Sequence, residues 1–200
     1  RELCVASVQA LAERAAATGS MLWIDIEESH YVDATLDVYR RVRATQPKVG
    51  LCLQAYLRRT PADLESLLGI GAAIRLVKGA YREPAAVAFP DKGEVDAAYL
   101  ALGQRMLESA VGAGTLAVFG THDTVLVERL RERAATLGLS PDAWEVHMLY
   151  GIRTADQRAL AREGITMRVL ISYGTHWFPW YVRRLAERPA NVWFVVRSLV

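Results

Sequence analysis

Cysteine is scarce. Cys4 and Cys52 are the only two in 200 residues, and they form no Cys-x-x-Cys pair. A zinc knuckle and a disulfide framework are thereby excluded, and a reducing compartment fits. Charge of one sign is scarce too: 24 Lys and Arg face 22 Asp and Glu, so no strong field invites nucleic acid or an anionic membrane. The expected partners are therefore small molecules. No apolar run reaches the roughly 18 to 20 residues that span a bilayer, and Arg1 opens no signal-peptide pattern. Gly-x-Gly-x-x-Gly, the turn of a dinucleotide-binding open sheet, is absent. What the chain does have is 52% hydrophobic and 23% charged residues, enough to bury a core as one domain over residues 1–200. It opens inside a helical pattern rather than at a methionine, from which upstream sequence is expected in the natural protein.

Short apolar runs alternate with helical patterns, the signature of parallel β/α units. The runs are Met21 to Ile24, Val49 to Leu53, Ile74 to Val77, Leu116 to Phe119, Trp144 to Leu149 and Met167 to Ile171. Amphipathic stretches at Tyr31 to Ala44, Val95 to Val111 and Val125 to Leu137 are long enough to be crossover helices. Thr60-Pro61-Ala62-Asp63 reads as a cap with proline at the first helical position, and Thr154 to Gln157 as a capping box. Gly138, Gly164 and Pro189 read as helix stops. The opening helix, Glu2 to Ala17, fits the helix that follows a missing strand. The expected fold is α/β, a parallel (β/α)8 barrel of the TIM type, distorted and lacking two N-terminal units, with an open doubly wound sheet as the alternative.

Polar residues recur at or near the ends of these runs: Asp25, Gln54, Lys78, Thr121 with His122, and His147 within the fifth. In a β/α barrel the C-terminal strand ends converge on one mouth, so residues distant in sequence can surround one ligand. Each also has a plainer reading. Asp123 reads as a helix cap, Asp25, Glu27 and Glu28 as a solvated loop, and Gln54 as an amide tied to backbone or ligand. Lys78, ahead of Gly79-Ala80, is expected to project into the mouth. Two chemistries suit the ring. Asp25, His122 and His147 could ligate a metal for hydrolysis, although Lys78 would repel the cation and no His-x-His motif is present. Alternatively, Arg75, Lys78 and His122 with the glycine-bearing turns could hold an anionic, phosphate-bearing cofactor.

Near the C-terminus, Arg183 and Arg184 stand four and three residues before Glu187, so one carboxylate can steady both guanidinium groups on a helix face. A fork aimed this way suits a substrate carboxylate; the plain alternative is a solvated salt-bridged face. Trp177, Phe178, Trp180 and Tyr181 in the same segment favour a dry pocket.

These stretches resemble a family. Val49-Gly-Leu-Cys-Leu-Gln-Ala-Tyr-Leu57, Arg75-Leu-Val-Lys-Gly-Ala-Tyr81, Thr121-His-Asp123, Met148-Leu-Tyr-Gly151 and Tyr181-Val-Arg-Arg-Leu-Ala-Glu-Arg-Pro189 are similar, in order, to flavin-dependent proline dehydrogenase in its short bacterial monofunctional form. The resemblance implies a distorted barrel that binds FAD noncovalently and oxidises L-proline to Δ1-pyrroline-5-carboxylate. It implies that Arg183 and Arg184 hold the proline carboxylate, that Glu187 orients them, and that Tyr81 and Leu149 line the ring. Asp25 would lie near the substrate pocket. Arg75, Val77, Lys78, Gly79, Ala80, Gln54, Thr121 and His122 would contact the flavin. Reoxidation by a membrane quinone would make the enzyme cytoplasmic and peripheral to the inner membrane.

The chain departs from the family pattern. Leu170 stands for a usual tyrosine, Ser172 for proline, Trp180 for tyrosine and His147 for glutamine, which alters pocket polarity without removing the fork. The family's substrate-site lysine would lie on an early strand outside this sequence. A non-catalytic barrel remnant and a metal-dependent hydrolase are the competing expectations.

Overall fold

The computed structural model describes residues 1–112 and 114–175. Helix α1 (Glu2–Ala17) leads into β1 (Leu22–Ile24), and five further β/α steps follow: α2 (Val32–Arg43), β2 (Val49–Gln54), α3 (Thr60–Leu68), β3 (Ala73–Val77), α4 (Lys92–Gly112), β4 (Leu116–Gly120), α5 (Thr124–Thr136), β5 (Trp144–Leu149), α6 (Thr154–Arg162) and β6 (Thr166–Leu170). Every strand pairs in parallel with the next in sequence, giving one six-stranded sheet in the order β1 to β6. All six runs named from sequence are strands, within two residues at each end. The α/β class and parallel order are as expected; closure into eight strands lies beyond the described residues.

Alternation divides each strand between two faces. Leu51, Leu53, Ile74, Leu76, Phe119, Trp144 and Val146 are buried on the face that the helices cover. Each is worth roughly 1.5 to 3 kcal/mol of burial. Tyr99 of α4 is fully buried there and donates its hydroxyl to the Leu76 carbonyl at 3.1 Å.

The opposite face is concave. Trp23 of β1 and His147 of β5 meet edge to face with ring centroids 5.6 Å apart. In a flat sheet these strands, four steps apart at about 4.8 Å each, would be separated by about 19 Å. Only a sheet curled as in a barrel brings the two rings together across its interior. Gly50 permits the approach: a Cβ there would lie 2.5 Å from Trp23 Cζ3.

Local details correct the sequence reading at two helix starts. Thr60 lies inside α3 and donates to the Gln54 carbonyl at 2.6 Å instead of capping, which ties the helix to the strand before it. The capping box at Thr154 to Gln157 does not form. Arg153 occupies the cap position with φ 51°, and Gln157 Nε2 donates to the Leu149 and Ile152 carbonyls at 3.0 and 2.7 Å. The Gln157 side chain thus ties α6 to the end of β5 and to the turn that follows it. Gly138 and Gly164 take positive φ as helix stops, and Asp123 caps α5 by accepting from the Leu126 amide.

Candidate active site

Period-two alternation sets Cys52, Arg75, Val118, Glu145 and Thr166 in one register row, and Gln54, Val77, Gly120, His147 and Arg168 in the next. Contacts among their side chains show that they share the concave face. Arg75 bonds to Asp25 through Nη2, and its guanidinium lies 5.0 Å from the Trp23 ring centroid. Burial works against the charge on Arg75, but pairing with Asp25 outweighs it and the pKa rises. Asp25, in the loop after β1, thus reaches Arg75 while its own side chain stays largely exposed. Cys52 sits beside this pair, and burial pushes its thiol up to about 12, which keeps it protonated and unreactive.

On β5, Glu145 Oε1 and Oε2 accept a two-pronged bond from Arg168 at 2.8 and 2.6 Å, and Oε2 also meets His147 Nε2 at 2.9 Å. Burial would raise this carboxyl, yet the bonds to His147 and Arg168 and the guanidinium charge prevail, and its pKa drops from 4.5 to about 2. An ionised carboxylate only accepts, so His147 Nε2 carries a proton.

Around the rim the structure assigns clear roles. Gln54 is buried, and its Nε2 donates to the Ile26 and Glu27 carbonyls, both at 3.0 Å. Two carbonyl partners fix the amide orientation, and Gln54 Oε1 is then a buried acceptor with no hydrogen bond among the described residues. His122 Nε2 accepts from the Leu149 amide at 2.9 Å. Burial, helped by the nearby Arg153 charge, lowers its pKa, so the ring is neutral with its proton on Nδ1. Thr121 is buried and its hydroxyl accepts from the Asp123 amide at 3.1 Å. Tyr81 donates its hydroxyl to Glu27, while Ser29 gives its amide and hydroxyl to Glu83 at 2.6 and 2.8 Å. These bonds clasp the loop after β1 onto the loop after β3.

Lys78 differs from expectation. Its Nζ lies 2.5 Å from Asp96 and 2.9 Å from Asp123, clamped between the starts of α4 and α5. Burial raises the pKa of both aspartates, but Lys78, joined by Lys92 at Asp96 and by the Leu126 amide at Asp123, more than reverses it. Gly79 at φ 115° stacks against the Tyr56 ring, so the space after Lys78 is filled by protein. Val77 shares the concave face, partly buried, and Ala80 is exposed.

The three residues considered for a metal are not brought together. Asp25 is held by Arg75, His122 Nε2 by the Leu149 amide and His147 by Glu145, and no group of three His, Cys, Asp or Glu among the described residues could hold an ion. The metal-hydrolase expectation is thereby corrected. Arg183, Arg184, Glu187, Trp177, Phe178, Trp180, Tyr181 and Pro189 lie outside the described residues. Sequence reasoning missed Trp23, Glu145 and Arg168 as site residues. The Glu-x-His-x-Leu alternation of β5 was the available signal, but the partners of Glu145 and Trp23 lie on other strands. Among the described residues no helix is long and apolar enough to cross a membrane.

Comparison with known proteins gives a consistent result. The family model described as proline dehydrogenase matches residues 3–197. Proline dehydrogenase 1 of Bacillus subtilis (strain 168) is 36% identical over 199 residues, covering 100% of this chain and 65% of that protein. Proline dehydrogenase of Deinococcus radiodurans is 36% identical over 201 residues, covering 100% and 64%. The chain thus spans slightly less than two thirds of these relatives. Among solved structures, a mutant proline utilization A from Bradyrhizobium japonicum superposes with a TM-score of 0.83 at 28% identity, over 97% of this chain and 22% of that one. Proline utilization A from Bdellovibrio bacteriovorus, inactivated by N-propargylglycine, shares the fold with a TM-score of 0.82 at 24% identity, over 90% and 21%.

Proposed function

The chain belongs to the proline dehydrogenase family, and from that membership we propose that the protein oxidises L-proline to Δ1-pyrroline-5-carboxylate with FAD as the bound oxidant, the first step of proline breakdown. The observation that carries this reading is the concave face itself. Arg75 provides a partly buried cation, Gln54 Oε1 a buried acceptor without a hydrogen bond among the described residues, and His122 Nδ1–H a donor with its tautomer already set. An isoalloxazine edge presents both donors and acceptors and gains negative charge on reduction, so these residues fit it. Gln54, Arg75, Val77, Thr121 and His122 would hold the flavin. Lys78 supports the wall from its two aspartates, and Gly79 and Ala80 supply backbone. When bound, the flavin would take the hydride from the ring carbon beside the proline nitrogen.

The remaining residues orient the substrate. Arg183 and Arg184 would take its carboxylate, with Glu187 steadying both, and Tyr81 and Leu149 would bear on the ring. Asp25, tied to Arg75, would couple the substrate end of the pocket to the flavin end. A closed (β/α)8 barrel, to which this six-stranded parallel sheet would contribute six units, belongs to the same proposal. Reoxidation by a quinone, in a cytoplasmic protein touching the inner membrane, completes the proposal. Titrating the full natural chain with FAD tests it: saturable uptake is expected, weakened at least tenfold in Arg75→Met, and no uptake by the folded wild type contradicts the reading.

A further inference from the structure

A line of side chains crosses the concave face from β6 to β3. Arg168 grips Glu145, Glu145 holds His147, the His147 ring abuts the Trp23 ring, and the Trp23 face underlies the Arg75 guanidinium. We infer that Glu145 and His147, acting through Trp23, are positioning residues for Arg75, so that a carboxylate on the fifth strand fixes where a cation on the third strand sits. The inference rests on the reading that Arg75 faces a bound flavin.

Three features support it. Glu145 and His147 expose only 9% and 11% of their side chains, and a buried carboxylate is costly to retain where neighbours such as Val118 show that apolar side chains fit. Among the described residues Arg75 meets Asp25, the Cys52 thiol beside it and the Trp23 ring. Asp25 is 65% exposed and screened by water, whereas the indole is the drier contact for a guanidinium only 13% exposed. Finally, Trp23 can reach His147 only because Gly50 leaves its ring room on β2. The indole is therefore located by its neighbours on both sides, and its freedom is limited by His147.

Chemically, a cation beside the flavin favours the anionic reduced form. Displacing it lowers the reduction potential of the cofactor without removing any group that touches it. The measurement is the midpoint potential and FAD dissociation constant of the full natural protein, loaded with FAD, for wild type and variants. His147→Leu removes both the donor to Glu145 and the ring against Trp23. It is expected to weaken stabilisation of reduced flavin about tenfold, a shift of about 30 mV toward negative potential for a two-electron couple. His147→Gln, which keeps an N–H for Glu145, should show less than half that shift. Trp23→Leu should shift in the same direction and leaves the Glu145 contacts intact, so it carries the test if His147→Leu fails to fold.

A double-mutant cycle decides the route. In an Arg75→Gln background, His147→Leu should move the potential no further. An unmoved potential in a folded His147→Leu or Trp23→Leu protein, or an equal shift in the Arg75→Gln background, overturns the inference while leaving the proposed activity standing. A folded wild type that takes up no FAD removes both.

Discussion

Glu145 occupies a position where the interior of a parallel sheet usually takes valine or leucine, and its neighbours explain how the charge is tolerated. Three hydrogen bonds, two of them from one guanidinium, replace the water it lost. Its carboxyl is depressed from 4.5 to about 2, so the ion contributes stability that is present above pH 4.5 and lost as pH falls toward 2. Urea unfolding of wild type and Glu145→Gln should therefore differ by on the order of 3 kcal/mol at neutral pH, with the gap narrowing through that acid window; a pH-independent gap would contradict the assignment. His122 behaves in the corresponding way. Its depressed pKa keeps it neutral, and His122→Leu leaves the Leu149 amide without its acceptor, an expected loss of roughly 1 to 3 kcal/mol readable by the same unfolding measurement. Within the proposed substrate fork, Arg184→Met should raise KM for proline by roughly 30-fold or more, as expected when one arm of a carboxylate clamp costs about 2 to 4 kcal/mol. An unchanged KM would refute that role.

At the scale of elements, the strands were legible because their apolar runs are short, β-branched in part, and bounded by turn residues. Their direction followed from the intervening helices. The caps were less legible. Thr60 and Gln157 have the right spacing for capping, but each bonds instead to the carbonyl at the end of the preceding strand, a partner that only the assembled β/α unit defines. Gln157→Leu should thus loosen the turn after β5 more than it weakens α6, by roughly 1 to 3 kcal/mol. Faster amide exchange around residues 149–153 than within α6 checks this. The partners of Lys78 were hidden for a related reason. The sequence shows a cation at a strand end, whereas the two aspartates that pair with it come from near the start of α4 and from the cap of α5. Gly79→Ala, at a positive φ against the Tyr56 ring, is expected to destabilise by roughly 2 to 5 kcal/mol from backbone strain and overpacking together. Thermal melting would show it.

For the molecule as a whole, curvature is the property that makes a site from a sheet. Alternation assigns Trp23, Gln54, Arg75 and His147 to one face, and that much can be read along the chain. That Trp23 touches His147 cannot, because the contact joins non-adjacent strands and exists only when the sheet curls. Arg75 and Gln54 lie on that face, Gln54 with an oxygen that has no partner among the described residues, and the neutral His122 follows the C-terminal end of β4. The proposed oxidation of proline by a flavin on this face is read out by anaerobic addition of L-proline to the FAD-loaded natural protein. Loss of the oxidised-flavin absorbance with formation of one Δ1-pyrroline-5-carboxylate per flavin is expected, and a flavin-loaded protein whose spectrum proline leaves unchanged refutes the proposal.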